Sequence, residues 1–546
     1  MRNNLLLSML VFALPIAAQT TSFDKFKQQQ DAKFDKFKTD KQAEWDAYRK
    51  KMNDEFADFM RQTWETFPVH QADKPKEEKT VPPVVYKAPD TKPAPQPAPS
   101  VVEPDEEPAE EPIEEGVNIE EPEPTPAPQP KVDPLKTPQS KVKTAPSPEP
   151  KQIPVQPKII VVPKPAPAPE PIAPVKPKEE IPFKRVSLAY YGTIITIGFP
   201  TTDDLKIKAL KENALADAWK VLSGPKYDIT IKSALDARQA NDLCDWAYMD
   251  VIKMATEKQY GRTNEAVLMQ AYLMTQSGYR IRLAMTANRL FMLIASNYQI
   301  QNMRYITLDG TKYYLTADNG NESMQICKCK FDKEQSLSLQ LARLPKLGEE
   351  PTPKRKLTSG KGVSASVSVN KNLIDFFGTY PQANIDGDFT TRWAAYANTP
   401  LDQSIQNALY PVFKKTIASM TERDAVGIIL NWVQTAFQYG YDDQIWGGDR
   451  AFFPQETLYY PHSDCEDRAI LFSRLVRDIM ELDVVLLYYP GHLATAVAFT
   501  GQEKGDWLTY NNRRYIVCDP TYINASVGMT MPGMDNQKAK VIVLKK

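Results

Sequence analysis

The sequence predicts an α+β protein in which a helix packed on an antiparallel sheet occurs twice, behind a helical coil and a proline-rich disordered linker. Three observations predict it. Aromatic residues recur every 11 positions from Phe23 to Phe67. Of the 46 prolines, 31 fall between Pro75 and Pro182, where no core can form. Beyond Arg185, runs with helical spacing precede β-rich runs, and after a polar break at 345–361 the same pattern begins again.

Taken in order, Arg2 and the apolar run "LLLSMLVFALPIAA" resemble a secretory signal peptide, residues 1–18, with cleavage expected after Ala18. The run is short for a membrane span, and no transmembrane segment is expected after cleavage. No cysteine follows the cleavage point, so no lipid anchor is indicated. The mature protein is expected in the periplasm or at the cell surface.

Residues 19–70 carry the repeat, with aromatics at 23, 34, 45, 56 and 67 and again at 26, 37, 48 and 59. A period of about 3.67 residues per turn keeps the aromatic edge on one face of a helix. Self-association through residues 23–67 is the favoured reading. A solvated helix and a helix lying on a membrane surface are its rivals. Pro68 is expected to end the helix.

Residues 71–184 read as an extended polyproline-type spacer, acidic at 103–124 and mainly basic from Lys131 to Arg185. Residues 185–345 and 346–546 are the two expected α+β domains. In the first, "RVSLAYYGTIITIGF", "RIRLAM", "LFMLIAS" and "KYYLTA" read as strands. In the second, "RDAVGIILNWVQTAF" reads as a helix, and "VVLLYY", "TAVAFT" and "RYIVCD" as strands. A net charge of -1 and a pI near 6.4 give no electrostatic case for nucleic acid. Five cysteines suit no disulfide framework, and the one-residue gap in "CKC" at 327–329 argues against a bridge there, so all five are expected as thiols.

Only three histidines exist, His70, His462 and His492, so a mechanism needing imidazole has few choices. In the last domain three side chains fall in a chemically meaningful order. Cys465 opens the helix "CEDRAILFSRLVRDIM", His492 begins the strand "HLATAVAF", and Asp519 ends the strand "RYIVCD". A thiol becomes nucleophilic with an imidazole base, and a carboxylate fixes that imidazole's tautomer. Helix N-terminal N–H groups favour the thiolate. His462 lies three residues before Cys465 but lacks an evident carboxylate partner. Cys465 N–H is one candidate oxyanion donor, and Gln455 or Trp446 is the second.

The stretches "DCEDRAILFSRLVRD", "GHLATAVAF" and "YIVCDPTY", with "YDDQIWGGDRAFFPQETL" before them, resemble the transglutaminase-like superfamily, in its bacterial transglutaminase-like cysteine peptidase branch, over roughly residues 400–525. The resemblance implies a papain/transglutaminase-like core, a Cys465 nucleophile, a His492 base and acid, and an Asp519 orienter. No cofactor is required by it. In that branch the acids of "DCED" hold calcium, so Asp464, Glu466 and Asp467 have two readings, a Ca2+ site or helix caps with Arg468 neutralising Asp464. The glycine run that usually precedes the motif is lacking. The reaction implied is acyl transfer through a thioester, to water on a protein or peptide substrate or else to an amine as a crosslink. A non-catalytic envelope scaffold is the third reading.

Finally, "YGRTNEAVLMQAYLMTQSGYRIRLA", "ANRLFMLIAS" and "KYYLTAD" parallel the nucleophile helix and its strands. Thr263, Arg289 and Asp318 then stand near Cys465, His492 and Asp519. Arginine cannot serve as a base, so residues 185–345 read as a degenerate copy.

Overall fold

The structure, a computed structural model, describes residues 22–62, 64–73, 86–87, 143–144, 158–163, 167–178, 180–320, 322–535 and 538–545. Residues 1–18, expected as a signal peptide, and most of the proline-rich spacer lie outside the described residues.

Helix α1 (Ser22–Met60) stops eight residues short of Pro68. The chain then enters strand β1 (Glu65–Phe67) and not a longer coil. Strand β2 (Lys158–Val161) arises inside the expected spacer, because Ile159, Ile160 and Val161 supply three consecutive β-favouring residues between prolines. A hairpin of β3 (Phe183–Tyr190) and β4 (Thr193–Pro200) follows, turned by Tyr191 and Gly192 at positive φ. Helices α2 (Glu212–Leu222), α3 (Asp228–Ala240), α4 (Asp245–Tyr260) and α5 (Asn264–Gln276) come next. Strands β5 (Ile281–Met285), β6 (Leu290–Ala295), β7 (Tyr305–Leu308), β8 (Thr311–Leu315) and β9 (Met324–Cys327) complete the first half.

The second half opens with a hairpin, β10 (Arg355–Thr358) and β11 (Ser364–Val367). Helices α6 (Lys371–Thr379), α7 (Thr390–Asn398), α8 (Gln403–Ile417) and α9 (Glu422–Thr435) follow. Two-residue strands β12 (Gln438–Tyr439) and β13 (His462–Ser463) bracket short helices α10 (Asp442–Ile445) and α11 (Pro454–Tyr459). Then come α12 (Cys465–Met480), β14 (Asp483–Tyr489), β15 (His492–Ala498), β16 (Trp507–Tyr510), β17 (Arg513–Cys518) and β18 (Lys540–Val543).

The molecule is thus mixed α+β, with two six-stranded sheets. Their strand orders are β7-β8-β6-β5-β9-β1 and β16-β17-β15-β14-β18-β2. Position by position these orders coincide, and each sheet carries one central helix, α5 on β5 and β6, α12 on β14 and β15. Each sheet also ends on a strand borrowed from the N-terminal region. β1 runs antiparallel to β9, whereas β2 runs parallel to β18.

The aromatic helix is half docked. Phe56 stacks between Trp219, at 4.4 Å between ring centroids, and Phe331, at 4.6 Å. Buried Asn53 accepts from Trp219 Nε1 at 3.0 Å and Gln276 Nε2 at 2.9 Å, and Arg49 pairs with buried Asp228 at 2.8 Å. Farther out, Phe34 and Phe37 are each 57% exposed. The same apolar cluster that takes in Phe56 and Trp219 continues through Tyr380 and Phe453 to Cys465 and Leu493.

The expectation of five thiols fails at one place. Cys327 and Cys329 form a disulfide, since the backbone leaving β9 sets their Cα atoms 5.5 Å apart, within the span a bridge requires. Cys244, Cys465 and Cys518 are free.

Candidate active site

The site assembles where the N-terminus of α12 meets the start of β15. Asp467 Oδ2 accepts the Asp464 backbone N–H at 3.2 Å and its Oδ1 accepts Phe452 N–H at 2.9 Å. That satisfies donors which a helix start otherwise leaves orphaned. Cys465 is therefore the first residue of a helix whose inner face is buried from Ala469 to Ile479.

His492 closes the β14/β15 hairpin opposite Tyr489, across a Pro490-Gly491 turn in which Gly491 takes φ 80°. Its Nε2 lies 2.8 Å from Asp519 Oδ2, with both side chains buried. Asp519 Oδ1 accepts Thr521 N–H at 2.9 Å and Tyr522 N–H at 3.1 Å. Gln434 Nε2 ties down the same loop through the carbonyls of Asp519, Tyr522 and Ala525. A carboxylate oxygen accepts, so Nε2 is the ring nitrogen that donates to Asp519 and Nδ1 is the one left for another partner. That Nδ1 is buried and has no hydrogen-bond partner.

The thiol's own environment is unfriendly to a thiolate. Cys465 Sγ donates to Glu466 Oε2 at 3.2 Å. Burial, then the charges of Glu466 and Asp464, push its pKa well above the ordinary thiol value, while the Leu493 backbone N–H acts the other way. The expectation that the helix terminus would favour thiolate is outweighed here by desolvation and neighbouring carboxylates.

Those carboxylates belong to a larger cluster. Asp442, Asp464 and Asp467 can each offer an oxygen within 4.8 Å of the others, as can Asp442, Asp449 and Glu466, or Asp464, Glu466 and the Cys465 sulfur. Burial raises the pKa of Asp442, Asp464, Glu466 and Asp467 alike. Asp464 Oδ1 is buried without a partner. Arg468, expected to neutralise it, feels its charge but forms no salt bridge with it. Its guanidinium instead donates to Ser463 Oγ and the carbonyls of Gln434 and Phe437. Arg392 pairs with Asp449 at the cluster's edge. An all-oxygen donor set with an orphaned carboxylate oxygen fits a hard cation such as calcium.

Sequence reasoning missed Asp442 and Asp449. The signal was present in "YDDQIWGGD", where acids flank a Gly-Gly pair, but only the fold turns that loop toward Asp464. It also missed Tyr439, whose ring lies 5.3 Å beneath Arg468 and whose hydroxyl is raised by burial and then by Cys465.

The side chains proposed as the second oxyanion donor have these surroundings. Gln455 Nε2 donates to Pro400 O at 2.8 Å, and Trp446 packs edge-on against Tyr460 and Phe452. His462 pairs with Gln438 across β12/β13, and burial, then Arg355, lowers its pKa.

In the first half, Thr263 caps α5 through its side chain, so Asn264, and not Thr263, holds the first helical position that Cys465 holds in α12. Asn264 Oδ1 accepts Leu290 N–H at 2.8 Å, the strand position matching Leu493. Thr286 and Arg289 close their hairpin across two residues, as Tyr489 and His492 do. Arg289 thus matches His492. Register then pairs Thr316 with Met292 and Cys518 with Thr495, which sets Ala317, one residue before Asp318, level with Asp519.

No family model, curated protein or solved structure matches the chain.

Proposed function

We propose that residues from about 400 to 525 form a cysteine hydrolase of transglutaminase-like type, exported to the cell envelope, cleaving peptide or isopeptide bonds through a thioester on Cys465. One observation carries it. A buried imidazole, held by Asp519 through Nε2 and bare at Nδ1, follows directly on the β15 register that brings Leu493 N–H to the Cys465 thiol. In this reading His492 Nδ1 takes the thiol proton when the Cys465 hydrogen bond leaves Glu466. The sulfur attacks the acyl carbon, His492 returns the proton to the leaving amine, and water drawn by Nδ1 frees the acid. Asp442, Asp449, Asp464, Glu466 and Asp467 would hold calcium, whose charge would offset the carboxylates that burden the thiol.

The same reading takes the first half as a duplicate that has lost its chemistry. The shared strand order, the two-residue hairpin loops and the paired Asn264–Leu290 and Cys465–Leu493 contacts support it. Asparagine and arginine stand there for thiol and imidazole, so that half binds or braces and does not turn over.

The test is labelling with a carbonyl-reactive peptide probe that traps a thioester-forming thiol. Wild type should form a probe adduct at Cys465 that Cys465→Ser and His492→Ala lose. Adduct formation that persists in His492→Ala at the wild-type rate would remove the imidazole from the mechanism.

A further inference from the structure

Among the described residues, nothing covers the aromatic side chains in the N-terminal part of α1. Phe34 and Phe37 are each 57% exposed, Tyr48 44% and Trp45 39%; at the 11-residue spacing Phe34 and Trp45 lead to buried Phe56, and Phe37 and Tyr48 to Phe59, 41% exposed. We propose that this edge, residues 34–48, packs against the same edge of a second copy of the chain.

Four features select that occupant. First, the edge is built to stack on protein, since its Phe56 end already does so against Trp219 and Phe331. Second, residues 22–60 hold nine acidic and nine basic side chains, which gives little pull toward an anionic lipid surface. Third, both signs occur on each flank, Lys38 with Asp35 and Lys41 with Glu44, so two copies avoid a like-charge seam. Fourth, a repeat of 11 residues matches itself after each shift of one repeat, so two identical edges stay in register along their length. At about 1.5 Å per residue the segment from 34 to 48 is roughly 20 Å long, a short contact that only aromatic side chains fill.

The body-facing residues Arg49, Asn53 and Phe56 already belong to the intramolecular interface. The two uses of the helix therefore separate by position, and so do their variants.

The mature full chain should sediment as a dimer or larger at micromolar concentration. The double variant Phe34→Ser/Phe37→Ser should sediment as a monomer while keeping the wild-type thermal unfolding midpoint and Cys465 labelling rate. Two results overturn the proposal: a double variant that remains associated, or a wild-type monomer, whether it stays free or floats with phosphatidylethanolamine–phosphatidylglycerol vesicles. Flotation assigns the edge to lipid.

Discussion

His492 Nε2 sits 2.8 Å from Asp519 Oδ2, and both residues are about 1% exposed. A buried carboxylate that accepts three hydrogen bonds is held in one geometry, so removing it should cost both tautomer and stability. Asp519→Ala leaves Nε2–H, Thr521 N–H and Tyr522 N–H without their acceptor. An unsatisfied buried donor costs about 1–3 kcal/mol, and denaturant unfolding should register a loss in that range or above. Wild-type stability in this variant would mean that the pair is not formed.

The second prediction concerns thiol reactivity. With Cys327 and Cys329 bridged, only Cys244, Cys465 and Cys518 compete for alkylation. Cys518 is fully buried, its pKa driven up by that burial. Cys465 should label fastest, with a rate that climbs as pH rises above neutral, because its pKa lies well above the ordinary value. His492→Ala should lower a base-assisted rate by about 10²–10⁴-fold. Peptide mass spectrometry with time settles the order, and faster labelling of Cys244 would count against the site.

The third concerns cations. Asp442, Asp464, Glu466 and Asp467 hold protons more tightly folded than unfolded. Their contribution is present below the unfolded carboxyl pKa, about 4, and is lost as pH rises through the raised folded values. Asp228, raised by burial to about 6, adds to the same slope. Added calcium should therefore stabilise the protein more at about pH 8 than at about pH 5, with about 2.7 kcal/mol of stabilisation at pH 8 at a hundredfold excess over Kd. Asp442→Asn should shrink the calcium effect while raising stability without calcium. An unfolding midpoint indifferent to calcium at both pH values would eliminate the metal reading.

A fourth prediction separates the two halves. Thr263→Ala removes a side-chain cap and should cost about 1 kcal/mol, with Cys465 labelling unchanged. Asn264→Ala strands Leu290 N–H and should cost about 1–3 kcal/mol, again without effect on Cys465. A change in Cys465 labelling in either variant would show the first half taking part in the chemistry.

Packing of the aromatic helix gives the fifth. Phe56→Ala empties the slot between Trp219 and Phe331 and should cost about 3–5 kcal/mol. A cost under about 1 kcal/mol would mean the helix is not docked on the body.

What the sequence determined by itself is local. β-Branched and aromatic runs placed the strand that His492 begins and the one that Asp519 follows, and helical spacing placed the helix that Cys465 opens, because such runs and spacings record what an element buries. The order of thiol, imidazole and carboxylate was legible for the same reason, since each stands at the end of such an element. Tertiary structure decided what depends on pairing between distant segments. "KIIV" lies among prolines and joins β18 only because that edge is open. The chain after α1 becomes β1 because β9 offers it a partner. Asp442 enters the acid cluster through a loop whose turn toward Asp464 no local pattern encodes. Thr263 and Asp318 fall one residue from the places of Cys465 and Asp519, because a hydrophobic pattern fixes an element but not which residue opens or ends it. The thiol's raised pKa reflects burial first, a property of the assembled core, and then the charges of Glu466 and Asp464, which flank Cys465 in the chain itself.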